Sequence, residues 1–188
     1  MKTGETRKYV TLAMLSALAY VSLYIIHFPI IPSASFLSCD VKDVMLLIGA
    51  FLFGPVYGFL MALVVSLIQM FTLSQYGLIG LLMNVISSTA FVCPAALIYK
   101  RKKTTSGVLI GLAVGCVSMT AVMLLWNYIM TPVYMNVPRE TVKEMLLPVF
   151  LPFNLLKSII NAVISFILYK GIAERLHQYF THTEVKES

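Results

Sequence analysis

Long apolar runs, interrupted by proline, glycine and short charged clusters, make up most of the chain. One helix needs about 20 mostly apolar residues to cross a bilayer, and the runs here predict six spans. The first extends from about Tyr9 to His27, where Pro29 and Pro32 stop it. A short, mixed, non-helical segment follows from Phe28 to Cys39. Span two covers Asp40 to Leu52 and is unusually short; Phe53-Gly54-Pro55 breaks it. Span three covers Val56 to about Thr72, and a turn lies around Ser74 to Gly80. Span four covers Leu81 to Tyr99, span five Gly107 to about Met130, and span six about Pro148 to Ile172. A polar connection carrying Pro132, Pro138, Arg139, Glu140, Lys143 and Glu144 separates the last two.

Composition sharpens this picture. Of 188 residues, 59% are hydrophobic and only 12% are charged. The mean hydropathy is +0.87. A soluble domain has about a quarter of its residues charged, so this chain reads as an all-α integral membrane protein, one domain over residues 1–188. Globular cytoplasmic enzymes, disulfide scaffolds and disordered chains are excluded. The formal charge of +6 would suggest nucleic acid in a soluble protein. Here the cations sit in short loops and at the ends, where they set orientation, and no nucleic-acid partner is expected. The N-terminus, the Gly54-Pro55 turn, the Lys100-Arg101-Lys102-Lys103 run and the C-terminus share one face. The excess of Lys and Arg there makes that face, and both termini, cytoplasmic. The loops at 28–40, 74–80 and 131–147 then face outward. The basic N-terminus followed by an apolar run resembles a signal peptide. That run is too long for one and no small-x-small site follows, so it reads as a retained span. Cys39, Cys93 and Cys116 have neither bridge-framework nor zinc-ligand spacing; Cys93 and Cys116 read as packing residues.

Polar groups at membrane depth are costly and usually face a cavity or a partner. Lys157 lies roughly 8 Å below Pro152 along span six. It reads either as a lysine snorkelling to the headgroups or as part of a functional stripe. Asn154, Lys157, Ser158, Asn161 and Ser165 share one helix face, which favours the stripe. Asn127 follows Trp126, with Tyr128 and Tyr134 nearby; this group is either an interfacial aromatic belt or a ligand contact. Asn84 shares a face with Ser87 and Ser88, for an interhelical bond or a ligand. Asp40 and Asp43 open span two, where helix capping is the plainer explanation. A metal site is not expected, since no histidine or glutamate stands at ligand spacing. Ala13 and Ala17 form a small-xxx-small pattern that admits close helix approach, either inside the protein or with a partner. Phosphate-cradling, serine-hydrolase and zincin motifs are absent from the sequence.

Several segments together resemble one family, the substrate-binding S components of energy-coupling-factor vitamin transporters, and most closely its riboflavin-specific branch. They are Ala13-x-x-x-Ala17, Phe36-Leu37-Ser38-Cys39-Asp40-Val41-Lys42-Asp43, Phe53-Gly54-Pro55-x-x-Gly58, Gly80-x-x-x-Asn84, Asn127-Tyr128 with Pro132 and Tyr134, and Pro152-Phe153-Asn154-x-x-Lys157. The resemblance implies a six-helix protein without catalysis or a cofactor of its own. It would bind riboflavin near the outer face under a lid at residues 28–40. A transmembrane coupling subunit would dock on Ala13 and Ala17, and two ATPases would drive release. On this implication Asn127 meets the imide edge of the flavin and Lys157 its ring carbonyls or nitrogen. Asn84, Asn154 and Asp40 take ribityl hydroxyls, and Trp126, Tyr134 and Phe36 supply ring faces or edges, with Gly80 on the same motif as Asn84. The alternatives are an S component for thiamine, biotin or pantothenate, a small membrane enzyme using Asp40 and Asp43 with a metal, and a purely structural subunit.

Overall fold

The computed structural model describes residues 3–29, 37–73 and 77–173. Helix α1 spans Thr3–Ile25 and leads into a two-stranded antiparallel hairpin, β1 (His27–Pro29) and β2 (Ser38–Asp40). Then come α2 (Lys42–Phe53), α3 (Pro55–Thr72), α4 (Gly77–Arg101) and α5 (Thr105–Met135). The last helical rod comprises α6 (Arg139–Met145), a π-helical turn (Leu146–Phe150), α7 (Leu151–Leu168) and a second π-helical turn (Tyr169–Ala173). The protein is therefore predominantly helical, and the hairpin is an addition to the all-α expectation.

Five helical segments are long and apolar enough to cross a membrane among the described residues: Gly4–Ile25, Pro55–Thr72, Gly77–Arg101, Thr105–Met135 and Arg139–Gly171. The sixth expected span, α2, has 12 residues, which at 1.5 Å per residue is roughly 18 Å and short of the hydrocarbon thickness. Its surroundings explain its character. Helices α1, α3, α4 and α7 all pack on it, and residues on every side of it are buried, from Lys42 and Asp43 to Ala50 and Phe51. A helix apolar all round belongs in the middle of a bundle. The outer helices instead expose apolar side chains, among them Met14, Val56, Phe71, Val117 and Ile167, as lipid-facing surfaces do.

Local chemistry sets the joints. Gly54 takes φ +103° between α2 and α3, a conformation that favours glycine, and Pro55 then occupies the first turn of α3. Thr104 caps α5 by accepting a bond from the Gly107 N–H at 3.1 Å. Pro132 was expected to lie beyond span five, yet α5 continues through it to Met135. A proline in a membrane helix removes one donor, which neighbouring groups can offset. Asn136, in the left-handed region, closes the helix. Near the start of the last span, Pro148 and Pro152 each remove a donor, and the rod widens to π geometry over Leu146–Phe150.

The tightest helix pair is α4 with α5. A Cβ added at Gly111 would lie 2.7 Å from the Ala95 carbonyl oxygen, and one at Gly115 would lie 2.7 Å from that of Phe91. Hydrogen at these positions lets the two backbones meet, as small residues do in membrane interfaces.

Candidate functional site

Four charged side chains converge where β2 enters α2 and where α7 passes beside it. Asp40 is 3% exposed, Lys42 and Asp43 1%, and Lys157 7%. Ions so far from water need partners, and each has one. The Lys157 Nζ donates to Asp40 Oδ2 at 2.9 Å. Lys42 Nζ lies 3.7 Å from the same oxygen, donates to Asn84 Oδ1 at 2.5 Å and reaches Gln69 Oε1 at 3.5 Å. Asp43 accepts a bond from the Ser88 hydroxyl at 2.5 Å. Counted as ionised, the two lysines and two aspartates sum to zero.

Asp40 is also held through its backbone. Its position in β2 pairs with His27 of β1, and Asn161 Nδ2 donates to its carbonyl at 3.0 Å. The hairpin and α7 thus fix one carboxylate from two directions.

Above this floor lies a cavity, part of it open to solvent. Leu37, Met83, Met123 and Phe153 form its apolar wall; Ser38, Asp40, Gln69, Asn84, Ser87, Asn127, Asn154 and Lys157 supply polar groups. Two of these groups are unmatched within the protein. Asn127 accepts from Thr131 at 3.4 Å through Oδ1, while its buried Nδ2 has no protein partner. Asp40 Oδ1 is likewise buried without one. Each such group costs free energy unless a ligand or water satisfies it. A donor and an acceptor therefore stand ready in a slot with one apolar wall, as in small-molecule pockets where a few placed polar groups fix orientation.

The predicted site residues divide into three sets. Asp40, Asn84, Asn127, Asn154 and Lys157 line the cavity. Gly80, Trp126 and Tyr134 do not: the Gly80 carbonyl accepts Asn84 Nδ2, Trp126 packs against the main apolar core, and the Tyr134 hydroxyl accepts from Thr131. Phe36 lies outside the described residues. The snorkelling alternative for Lys157 is overturned by its pairing with Asp40. Capping by Asp43 is overturned too, because Val41 holds the cap position without a side-chain bond and Asp43 is turned toward Ser88. The whole stripe of Asn154, Lys157, Ser158, Asn161 and Ser165 is buried.

Sequence reasoning missed Lys42 and Gln69. Lys42 looked like a boundary charge, and only the central position of α2 reveals it as the brace between Asp40, Asn84 and Gln69. Gln69 had a visible signal, an amide alone in the apolar run of α3.

A membrane-embedded helical bundle with a polar-floored pocket among its helices defines a small-molecule binding protein of the bilayer. The comparison with known families places it further. The model for the substrate-specific component of ECF transporters matches residues 7–169, and the chain belongs to that family. It is a multi-pass protein of the cell membrane. Among curated proteins it is 32% identical over 178 residues to the riboflavin transporter RibU of Staphylococcus aureus (strain TCH60), covering 92% of this chain and 93% of that one. It is 28% identical to the riboflavin transporter FmnP of Bacillus subtilis (strain 168), covering 88% and 91%. A solved structure of the S component of a bacterial ECF transporter superposes with a TM-score of 0.78 at 32% identity, covering 92% of this chain and 98% of that one.

Proposed function

We propose that this chain is the riboflavin-binding S component of an ECF-type importer, a single membrane domain that captures the vitamin at its outer face. The observation that carries the reading is the cavity floor, charge-balanced and yet offering an unmatched donor on Asn127 and acceptor on Asp40. Riboflavin is uncharged, with a flat, largely apolar ring system, an imide edge and a hydroxylated chain. A neutral floor suits it better than anionic biotin or pantothenate, or cationic thiamine, each of which would need an uncompensated charge in the pocket. The curated relatives bearing riboflavin names support the same choice.

In this reading all six apolar segments cross or enter the bilayer with both termini cytoplasmic, α2 completing its depth through the hairpin. The lid is assigned to residues 28–40, of which 30–36 lie outside the described residues. Asn127 addresses the imide edge, Lys157 a ring carbonyl or nitrogen, and Asp40, Asn84 and Asn154 the ribityl hydroxyls. The coupling subunit docks on the groove between α1 and α3, where Ala13 and Ala17 are exposed beside Tyr57, Leu60 and Val64. Two ATPases complete the transporter. The alternative membrane enzyme loses its footing because Asp40 is committed to lysines and Asp43 to Ser88.

Titration of riboflavin fluorescence with protein in mild detergent tests the proposal. Saturable quenching that excess thiamine, biotin and pantothenate leave unchanged is expected. Quenching absent, or reversed by one of those vitamins, would move the ligand assignment elsewhere.

A further inference from the structure

At the opposite end of the bundle from the pocket, a second cleft opens between the α2–α3 joint and the end of α4. Phe51, Phe53, Gly54 and Tyr99 line it, and Lys100 and Lys103 stand at its mouth. Phe51, Tyr99 and Tyr169 form a ring cluster with centroids 4.6 to 5.9 Å apart, and the two tyrosine hydroxyls lie 3.2 Å from each other.

The lysines are the unexplained part. Among the described residues the ion pairs are those made by Asp40, at the other end of α2. Among the described residues neither Lys100 nor Lys103 bonds to a carboxylate or a carbonyl. Arg101 and Lys102 add two further cations to the same run. Lys8, bonded to the Tyr57 hydroxyl, brings the basic start of α1 to the same end. Among the described residues this end is strongly positive, with an aromatic-walled cavity opening beside Lys100 and Lys103; in the orientation proposed above it borders the inner headgroup layer.

We propose that this cleft is a binding site for the phosphate headgroup of an anionic phospholipid. Lys100 and Lys103 receive the phosphate, and the aromatic wall meets the glycerol backbone and upper acyl chain. Three features argue for a lipid over a free anion. The interior of the cleft is apolar and aromatic, so a bare phosphate would leave it unfilled. The cations lie at its rim, at headgroup depth. The inner leaflet also has a negative surface potential, which attracts clustered basic residues beside membrane helices. Bound there, the lipid would brace the joint between α2 and α3 without touching the vitamin pocket.

The test is thermal unfolding of the full chain in detergent, with phosphatidylglycerol or phosphatidylcholine added at equal concentration and constant salt. Phosphatidylglycerol is expected to raise the unfolding midpoint of the unsubstituted protein, and phosphatidylcholine to leave it nearly unchanged. In Lys100→Gln/Lys103→Gln, apparent lipid affinity should fall by on the order of tenfold or more, given two lost surface cations. Arg101→Gln/Lys102→Gln removes the same charge outside the cleft and should retain most of the shift. Riboflavin quenching should be unaffected in both, which separates this site from the vitamin reading. The proposal is overturned by equal stabilisation from the two lipids, by no shift at all, or by equal loss in the two double variants, which would mean a diffuse basic girdle. It is also overturned if inorganic phosphate alone reproduces the effect.

Discussion

Lys157 donates to Asp40 Oδ2, and Lys42 supports the same carboxylate from a greater distance. Removing one member of a buried ion pair leaves the other uncompensated, at a cost of about 3–5 kcal/mol. Lys42→Met is therefore expected to lower stability strongly, read as the midpoint of thermal unfolding, because it also strips Asn84 and Gln69 of their donor. Lys157→Met carries the same kind of cost, since Lys157 is the nearer partner of Asp40, and like Asn127→Leu it also acts on the ligand. Each should weaken riboflavin binding at least about tenfold, or about 1.4 kcal/mol, and unchanged affinity in both would remove the site assignment. Combining Asp40→Asn with Lys157→Met should cost less than the sum of the single changes, since the two share one interaction. Strict additivity in that cycle would mean that the pair is not coupled. The polar stripe of α7 was legible in the sequence because asparagine, lysine and serine stand out at helical spacing in an apolar run. Lys42 was not, because a lysine beside two aspartates at a helix start looks solvated until the helix proves to be central.

Among the elements, α4 and α5 meet through glycine. Gly107, Gly111 and Gly115 recur every fourth residue on α5, a pattern present in the sequence but unread among so many apolar positions. A side chain at Gly111 or Gly115 runs into backbone oxygen of α4, which cannot rotate away. Gly115→Val should destabilise by about 1–3 kcal/mol through overpacking, measured as a lower unfolding midpoint, while Gly171→Val, with open space around it, should be near neutral. Equal stability of Gly115→Val would mean that the helices separate at little cost. Span positions were readable because bilayer thickness imposes a length on apolar runs. The ends were less so. Proline marks a stop in water, but in lipid α5 runs on through Pro132. The hairpin pairs residues on either side of a loop, a long-range choice that local pattern does not encode.

Over the whole molecule, the two ends of the bundle carry different chemistry. One holds the polar-floored pocket; the other is basic. The flank formed by α1 and α3 is an apolar groove of exposed alanine, leucine and valine. The alanine pattern alone left internal packing and external docking open, and the exposure of Ala13 and Ala17 favours docking. Ala13→Leu/Ala17→Leu should leave riboflavin quenching intact and abolish vitamin uptake by cells, with loss of co-purification with the coupling subunit. Retained assembly would contradict that role. Composition carried the membrane class and the resemblance carried the family, while the pocket needed the three-dimensional meeting of β2, α3, α4, α5 and α7.

The central claim is that the neutral polar floor around Asp40 and Lys157 holds riboflavin. It is tested most directly by incubating the purified protein with riboflavin, passing it through a gel-filtration column and recording the visible spectrum of the protein peak. Flavin absorbance near one equivalent per chain, lost in Asn127→Leu and Lys157→Met variants that elute as folded monodisperse protein, is the expected result. A colourless peak from the folded unsubstituted protein, or flavin retained equally by the variants, would contradict it.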